Sequence, residues 1–383
     1  MIYRMFIVVV TVIVTLSLFN TNKKYNAETI ILGTSLPKNG IIKEWGISVL
    51  TGANAYFQYA NEKKLLDKRS IHLLSYDDKY EPDLTYANTK KLITEDNIFA
   101  LFGFVGTPTV KRILPLIENT NIPFIAPFTG ASFLRDKRYT NIINLRSSYK
   151  QEVYKIVKYL KNKKNISNIA VFYQNDDYGE EVYSSLLNVL DENQLKLVSE
   201  GSYKRNTLSI SHALHTMKNK KIGAIVMVGA YKANALFIKK ARQIESLKDT
   251  IFATVSFGDA NAMIKELDYK SKNLIFSQVI PSYNNISLDI VNEYHKIYSK
   301  YYPKREYSFI SFEAFIAAKA VVKSLQKVED NLSRENFIEA LKNLNGNDIK
   351  DLNIKFKNQQ LLNKTYLYKY EDSKFKEIKY ELR

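Results

Sequence analysis

The sequence predicts an α/β fold of two lobes, each a parallel sheet doubly wound by helices. Three observations carry this. Short apolar runs such as Ile98 to Phe104, Ile169 to Tyr173 and Ile222 to Val228 read as strands buried on both faces. Amphipathic helical stretches alternate with them, as βαβ units require. The alternation restarts after Leu145, so the strands fall into two successive sets. A chain of 383 residues, 45% of them hydrophobic, suits two or three domains with sizeable cores and excludes disorder.

In the first set, Glu28 to Thr34 is a strand and Ser35 to Gly40 the loop at its carboxyl end. Ile47 to Glu62 is a helix with Ile47, Leu50, Ala53, Phe57 and Ala60 on its apolar face; Gly52 within it marks close packing on the sheet. Ile71 to Tyr76 is the second strand, followed by Asp77 and Asp78, and Leu84 to Glu95 the second helix. Ile98 to Phe104 ends at Gly106-Thr107-Pro108-Thr109. Val110 to Asn119 is a helix that Pro115 should kink or shorten. Ile122 to Ala126 is a strand ended by Pro127 to Ala131, and Asn141 to Leu145 is another.

The second set runs through helix Gln151 to Lys161, strand Ile169 to Tyr173 and helix Glu180 to Leu190. Strand Leu195 to Ser199, helix Ser209 to Lys218 and strand Ile222 to Val228 follow. Helix Ala233 to Ile244 and strands Ile251 to Val255 and Leu274 to Ile280 complete it. Three helical stretches come next, Leu288 to Tyr301, Ser308 to Gln326 and Arg334 to Asn343. They need a sheet to cover, so the chain is expected to return to the first lobe after about Pro281. That return implies several crossings and a hinge. Leu352 to Phe356 and Thr365 to Tyr370 read as short strands.

The formal charge is +17. A nucleic-acid partner is the sharp reading of such a charge. The basic residues, however, are mostly lysines spread over helix faces or gathered at helix ends, where the dipole favours them. A solvated surface is the better account, with no nucleic acid as partner. The absence of cysteine excludes disulfides, thiolate metal sites, a thiol nucleophile and a lipidated N-terminal cysteine. Arg4 and the apolar run Met5 to Phe19 fit a signal-peptide core. Tyr25 makes cleavage after Ala27 a poor site, so residues 1–27 are either a signal peptide or a retained anchor. Either way the remainder is expected outside the cytoplasmic membrane, touching the membrane only through that segment.

Nucleotide and hydrolase signatures are absent. His212 and His215 lie three apart without carboxylates nearby and read as surface residues, so no metal and no cofactor is expected. Asp77, Asp78, Asp176 and Asp177 sit in loops where Asp serves as turn or N-cap residue; acid–base work is the other use of such pairs. In open α/β sheets ligands bind beyond the carboxyl ends of the strands. Thr107, Thr109, Thr129 and the backbone N–H groups around Gly106 and Gly130 are placed to wall such a site, and equally to form ordinary turns. Trp45, Tyr178, Tyr231 and Phe257 follow strands in loops, where rings can line a cleft.

Several stretches in order carry a resemblance: LPKNG at Leu36–Gly40, GANAYFQYAN at Gly52–Asn61, IPFIAPFTGASFL at Ile122–Leu134, NDDYGEEV at Asn175–Val182, VGAYKANALFIKKAR at Val228–Arg242 and SFEAFIAAKAVVKSL at Ser311–Leu325. The chain resembles the type I periplasmic binding proteins, in the leucine/isoleucine/valine-binding branch of ABC-transporter substrate-binding proteins. The resemblance implies two lobes joined by three crossings, with residues 28–145 and 281–352 in the first lobe, 146–280 in the second, and 353–383 crossing back to it. It implies a non-enzymatic protein that closes on a small polar ligand (an amino acid, carboxylate or amide) and delivers it to an ABC permease. Presentation of the closed form to a membrane sensor is the alternative; an enzyme using cleft carboxylates is a second. The implied ligand-binding residues are Trp45, Thr107, Thr109, Phe128, Thr129, Gly130, Tyr178 and Tyr231, with Ser256 and Phe257 added from the turn after the strand Ile251–Val255. Amino-acid binders of the family carry a Glu after the strand Ile251–Val255. Ser256 and Phe257 stand there instead, so an ammonium group would lack its counter-ion in a closed cleft.

Overall fold

The computed structural model describes residues 28–380. The expected signal or anchor segment lies outside the described residues. Two sheets organise the chain. The first contains β1 (Thr29–Leu36), β2 (Ser70–Asp77), β3 (Ala100–Phe102), β4 (Phe124–Ile125) and β5 (Ile142–Ile143), in the order β2-β1-β3-β4-β5, all parallel. The second contains β6 (Ile169–Asn175), β7 (Leu197–Lys204), β8 (Ala224–Val228), β9 (Ile251–Thr254) and β10 (Leu274–Gln278). It is extended by β11 (Tyr366–Glu371) and β12 (Lys374–Glu377), which pair antiparallel at its edge; the order is β12-β11-β10-β9-β8-β6-β7. Central strands β3 and β8 are wholly buried, whereas edge strand β7 alternates between exposed or half-exposed positions and more covered ones, with only Gly201 and Tyr203 buried. That contrast is what helix layers on both faces impose.

The helices of the first body are α1 (Lys43–Glu62), α2 (Pro82–Thr94) and α3 (Thr107–Ile117). Those of the second are α4 (Tyr149–Lys164), α5 (Asp177–Glu192), α6 (Ser211–Met217), α7 (Tyr231–Ala241) and α8 (Ala260–Glu266). The late helices are α9 (Asp289–Tyr301), α10 (Phe309–Lys327) and α11 (Arg334–Lys342). They turn back onto the first body: the Thr51 hydroxyl of α1 bonds that of Tyr298 at 3.1 Å, and Arg334 donates to the carbonyls of Ile98 and Phe99.

The chain therefore passes between the bodies after β5, after β10 and again before β11. The first and last passages run side by side, with Leu361 N donating to Asn144 O at 2.9 Å and Leu362 N to Leu145 O at 2.8 Å. Ser148 caps α4 through a capping box with Gln151, fixing where the first crossing becomes helix.

Several local expectations are corrected. Leu352 to Phe356 is not a strand; Lys355 makes only an isolated bridge with Asn345. Helix α1 starts four residues earlier than its apolar periodicity indicates, and α8 was not foreseen. Pro115 sits in the last turn of α3, where the helix is ending and one missing N–H costs little. Gly52 does not pack on the sheet. A Cβ there would collide with the Ser311 carbonyl oxygen, so the glycine is the point of closest approach between α1 and α10.

This gives a prediction against helix propensity. Gly52→Ala should destabilise the protein by about 1–3 kcal/mol through overpacking, although alanine is the better helix former. Urea unfolding of the variant checks it; a raised midpoint would mean that the α1–α10 approach is looser than described.

Candidate functional site

Sheet order reverses between β1 and β3 in the first body and between β6 and β8 in the second. These are the switch points beyond which α/β sheets leave a crevice. In this structure the two crevices face each other and are shut. Trp45 stacks on Phe257 with centroids 4.8 Å apart, and its indole N–H donates to the Phe257 carbonyl at 3.1 Å. Phe128 meets Trp45 edge-on at 5.9 Å, and Tyr178 leans on Phe257 at 4.7 Å and on Tyr149 at 5.5 Å. Polar contacts close the rim: Lys111 with Asp177 at 2.5 Å, Ser132 N to Glu181 at 2.7 Å, and Arg205 with Glu81 at 3.1 Å.

The four aromatics expected in loops are in fact helical. Trp45, Tyr178 and Tyr231 lie in the first turns of α1, α5 and α7, and Phe257 in a 3-10 turn, Ser256–Gly258. A first helical turn is a firmer mount than a loop. Asp176 makes one, accepting from the N–H groups of Tyr178 and Gly179 as N-cap of α5.

Beneath the rings lies a polar floor. The hydroxyls of Thr107 and Thr129 bond each other at 2.7 Å. Burial pushes the Tyr149 phenol up, opposed by Arg146 and by the Thr129 and Thr107 hydroxyls, yet the Tyr149 hydroxyl completes no bond. The Tyr178 hydroxyl and Arg146 Nη1 are likewise buried without a partner. Arg146 comes from the first crossing and forms a fork with Glu313 of α10, Nε to Oε1 at 2.9 Å and Nη2 to Oε2 at 3.0 Å. Burial works against the Arg146 charge, but Glu313 outweighs it and raises the guanidinium's hold on its proton. Glu152 of α4, fully buried, accepts from Ser256 N at 2.7 Å and from Ser256 Oγ at 2.9 Å. Burial pushes its carboxyl up, offset in part by Arg146 and Ser256.

Of the residues expected to bind ligand, Trp45, Thr107, Phe128, Thr129, Tyr178, Ser256 and Phe257 come together here. Gly130 adjoins them: its carbonyl accepts from Tyr149 N at 2.9 Å, and a Cβ would stand 2.6 Å from that nitrogen. Thr109 is turned away, its hydroxyl bonding the Val105 carbonyl of the same turn at 2.5 Å. Tyr231 lines a separate groove of about 420 Å³ with Lys43, Glu44, Asp259, Asn261 and Arg305. The sequence reading missed Arg146, Tyr149, Glu152 and Glu313. The one signal was a run of polar residues, Arg146 to Ser148, directly after a buried strand, which is where the crossing begins.

The sequence profile of a periplasmic binding protein family matches residues 29–374. The chain belongs to that family. Its sheets and connections are those of a type I periplasmic binding protein, in the leucine/isoleucine/valine-binding branch. A possible leucine/isoleucine/valine-binding protein from Rhodopirellula baltica SH 1 superposes with a TM-score of 0.86 at 30% identity, over 92% of this chain and 97% of that one. A fatty acid ABC transporter substrate-binding protein from Thermomonospora curvata superposes at 0.83 with 19% identity, over 94% of each chain. Leu/Ile/Val-binding protein homolog 7 of Brucella abortus is 20% identical over 312 residues, 78% of this chain and 77% of its own. These relatives are named as binding proteins, and the ligands in their names range from branched-chain amino acids to fatty acids.

The acidic pairs have structural partners. Asp78 is buried and accepts from Ser35 Oγ at 2.8 Å, Tyr80 N at 2.9 Å and Thr85 Oγ1 at 3.2 Å. Burial pushes Asp78 and Asp176 up to about 6, and Asp259, N-cap of α8, to about 7. A carboxyl raised in the folded state binds its proton more tightly there than in the unfolded chain. Its stabilising contribution is complete below the ordinary value of 3.8 and is lost as pH rises through about 7. Asp259→Asn should therefore flatten the decline of melting temperature between about pH 4 and pH 7. An unchanged profile would show that Asp259 titrates normally.

Proposed function

We propose that the protein captures a small polar solute between its two bodies and hands it to an ABC transporter permease outside the cytoplasmic membrane, without chemical turnover. The observation that carries this is the set of three buried, unpartnered polar atoms, Tyr149 Oη, Tyr178 Oη and Arg146 Nη1, gathered under the ring wall where the bodies meet. A buried polar group without a partner costs about 1–3 kcal/mol. A ligand bonding all three would remove that cost. The rings of Trp45, Phe128 and Phe257 supply apolar walls, and the Thr107–Thr129 pair supplies further hydroxyls on the first body. Residues 28–145 with 281–352 act as one jaw and 146–280 with the C-terminal strands as the other, swinging on the three crossings.

Branched-chain amino acids and fatty acids, the ligands in the relatives' names, share a carboxylate, which suits a floor of hydroxyls and a guanidinium. The single tryptophan, Trp45, is a built-in reporter. A metabolite screen by melting temperature and tryptophan emission should find compounds that shift both; a ligand at about 100 times its dissociation constant stabilises by about 2.7 kcal/mol. Uptake of the hit by cells, lost when the gene is deleted, tests the transport role.

Tyr178→Phe separates the solute reading from a purely structural one. Removing an unsatisfied hydroxyl should leave the free protein as stable or more so, while weakening the ligand by about 1–3 kcal/mol. Urea unfolding and isothermal titration give the two numbers. Lowered stability with unchanged affinity would remove Tyr178 from the site.

A further inference from the structure

We propose that a second pocket, beside the hinge, binds a small multivalent oxyanion, a phosphate or a phosphate-bearing group, held by Arg135, Lys155 and Lys364. None of the residues that wall the cleft lines this pocket, and the proposal stands whatever the cleft takes.

Position is the first support. The pocket has a volume of about 500 Å³. Arg135 reaches it from the 3-10 turn Ser132–Arg135 of the first body. Lys150, Gln151 and Lys155 reach it from α4, and Gln360 and Lys364 from the last crossing. Its walls are already fixed to one another. Buried Gln360 accepts from Arg135 Nε at 2.8 Å and donates to Gln151 Oε1 at 2.9 Å, and Gln151 Nε2 donates to Asn363 O at 3.0 Å. A ligand here meets side chains that need little further ordering.

Charge is the second. Four cationic side chains line the pocket and no carboxylate does. Lys150 pairs with Glu192 at 2.9 Å. Among the described residues, the contacts of the other three are neutral. Arg135 donates to Ala131 O, Arg146 O and Gln360, and Lys155 Nζ donates to Thr365 O at 2.6 Å. Lys364 lies over the Tyr366 ring, 4.6 Å from its centroid. Burial, then the Arg146 charge, push the Arg135 guanidinium down. Burial pushes Lys155 down as well, opposed by Glu377 of β12 and aided by Lys364. Cations gathered away from water without a counter-ion are costly, and an anion from solution relieves them.

Donor geometry is the third. Arg135 keeps an N–H on each of Nη1 and Nη2 beyond those already bonded, and the Lys155 ammonium keeps donors beyond the one on Thr365. A fork and two point charges from three elements suit several oxygens carrying more than a single charge. A monocarboxylate would leave cations unmatched. An oxyanion here ties the first body to α4 and to the last crossing, and so braces the hinge.

The test uses the full chain at an ionic strength of about 0.1 M, where the Debye length is about 10 Å. Isothermal titration with pyrophosphate should show saturable binding, tighter than that of inorganic phosphate, and pyrophosphate should raise the melting temperature. Lys155→Gln should weaken pyrophosphate about 10-fold. Lys364→Gln, at an exposed position, should weaken it about 2- to 5-fold. Lys163→Gln removes the same charge about 12 Å further along α4 and should change affinity by less than about 2-fold. Vesicles of phosphatidylcholine, with and without phosphatidic acid, separate a lipid headgroup from a free anion. Sedimentation with the phosphatidic acid vesicles that is lost in Lys155→Gln and kept in Lys163→Gln supports the same site with a lipid source; pyrophosphate binding without sedimentation supports a free one. Binding of neither probe overturns the site. So does a loss in Lys163→Gln equal to that in Lys155→Gln, the mark of a diffuse counter-ion cloud over a lysine-rich surface. Should Lys155→Gln fail to fold, Lys364→Gln against Lys163→Gln decides.

Discussion

The buried pair of Arg146 and Glu313 is the contact on which the rest of the arrangement depends. It ties the first crossing to α10, the helix that closes over the first body late in the chain. The Arg146 guanidinium lies under the ring wall, about 6 Å from the centroids of both Trp45 and Phe128. Burying two charges yields little net stability over a well-packed apolar alternative, whereas losing one partner is severe. Such a pair therefore fixes position more than it adds strength. It fixes the point where the hinge enters the cleft, and the Tyr149 ring and Glu152 carboxylate follow within two turns of α4.

From that point the site builds outward by ordinary rules. Each sheet turns its switch point toward the other, so the loops and first helical turns after β1, β3 and β4 confront those after β6 and β9. The residues in those turns are large and rigid where they must fill space, as Trp45 and Phe257 do. They are hydroxylic at Thr107 and Thr129, which bond each other. The result is a buried ring wall around a few polar atoms, and low local dielectric magnifies whatever those atoms meet.

The architecture was legible because the buried strands are short, continuous and apolar, and their order along the chain matches a repeated βα rhythm. The late helices announced a return to the first body simply by being amphipathic with nothing else to cover. Strand ends and helix starts were less legible: α1 begins before its apolar periodicity does, since Lys43 and Glu44 carry no pattern. For the site, residues following strands were recoverable, because topology alone sends them to the crevice. Arg146, Glu152 and Glu313 were not, because their meaning lies in contacts across 104 and 167 residues of sequence. In isolation Glu152 reads as a first-turn acid serving the helix dipole, and Glu313 as one of several polar residues on a mostly apolar helix. Thr109 differs for the opposite reason: it lies beside Thr107 in the first turn of α3, but its hydroxyl donates to its own backbone.

The closed cleft also sets the terms on which any solute enters. Trp45 and Phe257 occupy each other's faces across the gap, and the indole N–H already has its acceptor. A ligand between the bodies must part that stack and replace that hydrogen bond before its own contacts count. The free-energy gain is therefore a difference, and apparent affinity falls by the fraction of molecules with the cleft open. Buried unpartnered atoms push the other way: they make the empty closed form less stable than its aromatic packing alone would make it. The Trp45–Phe257 stack and the orphaned Tyr149, Tyr178 and Arg146 groups act against each other on the same opening equilibrium. On the proposed reading, a solute that satisfies the polar floor without demanding much room shifts that equilibrium most.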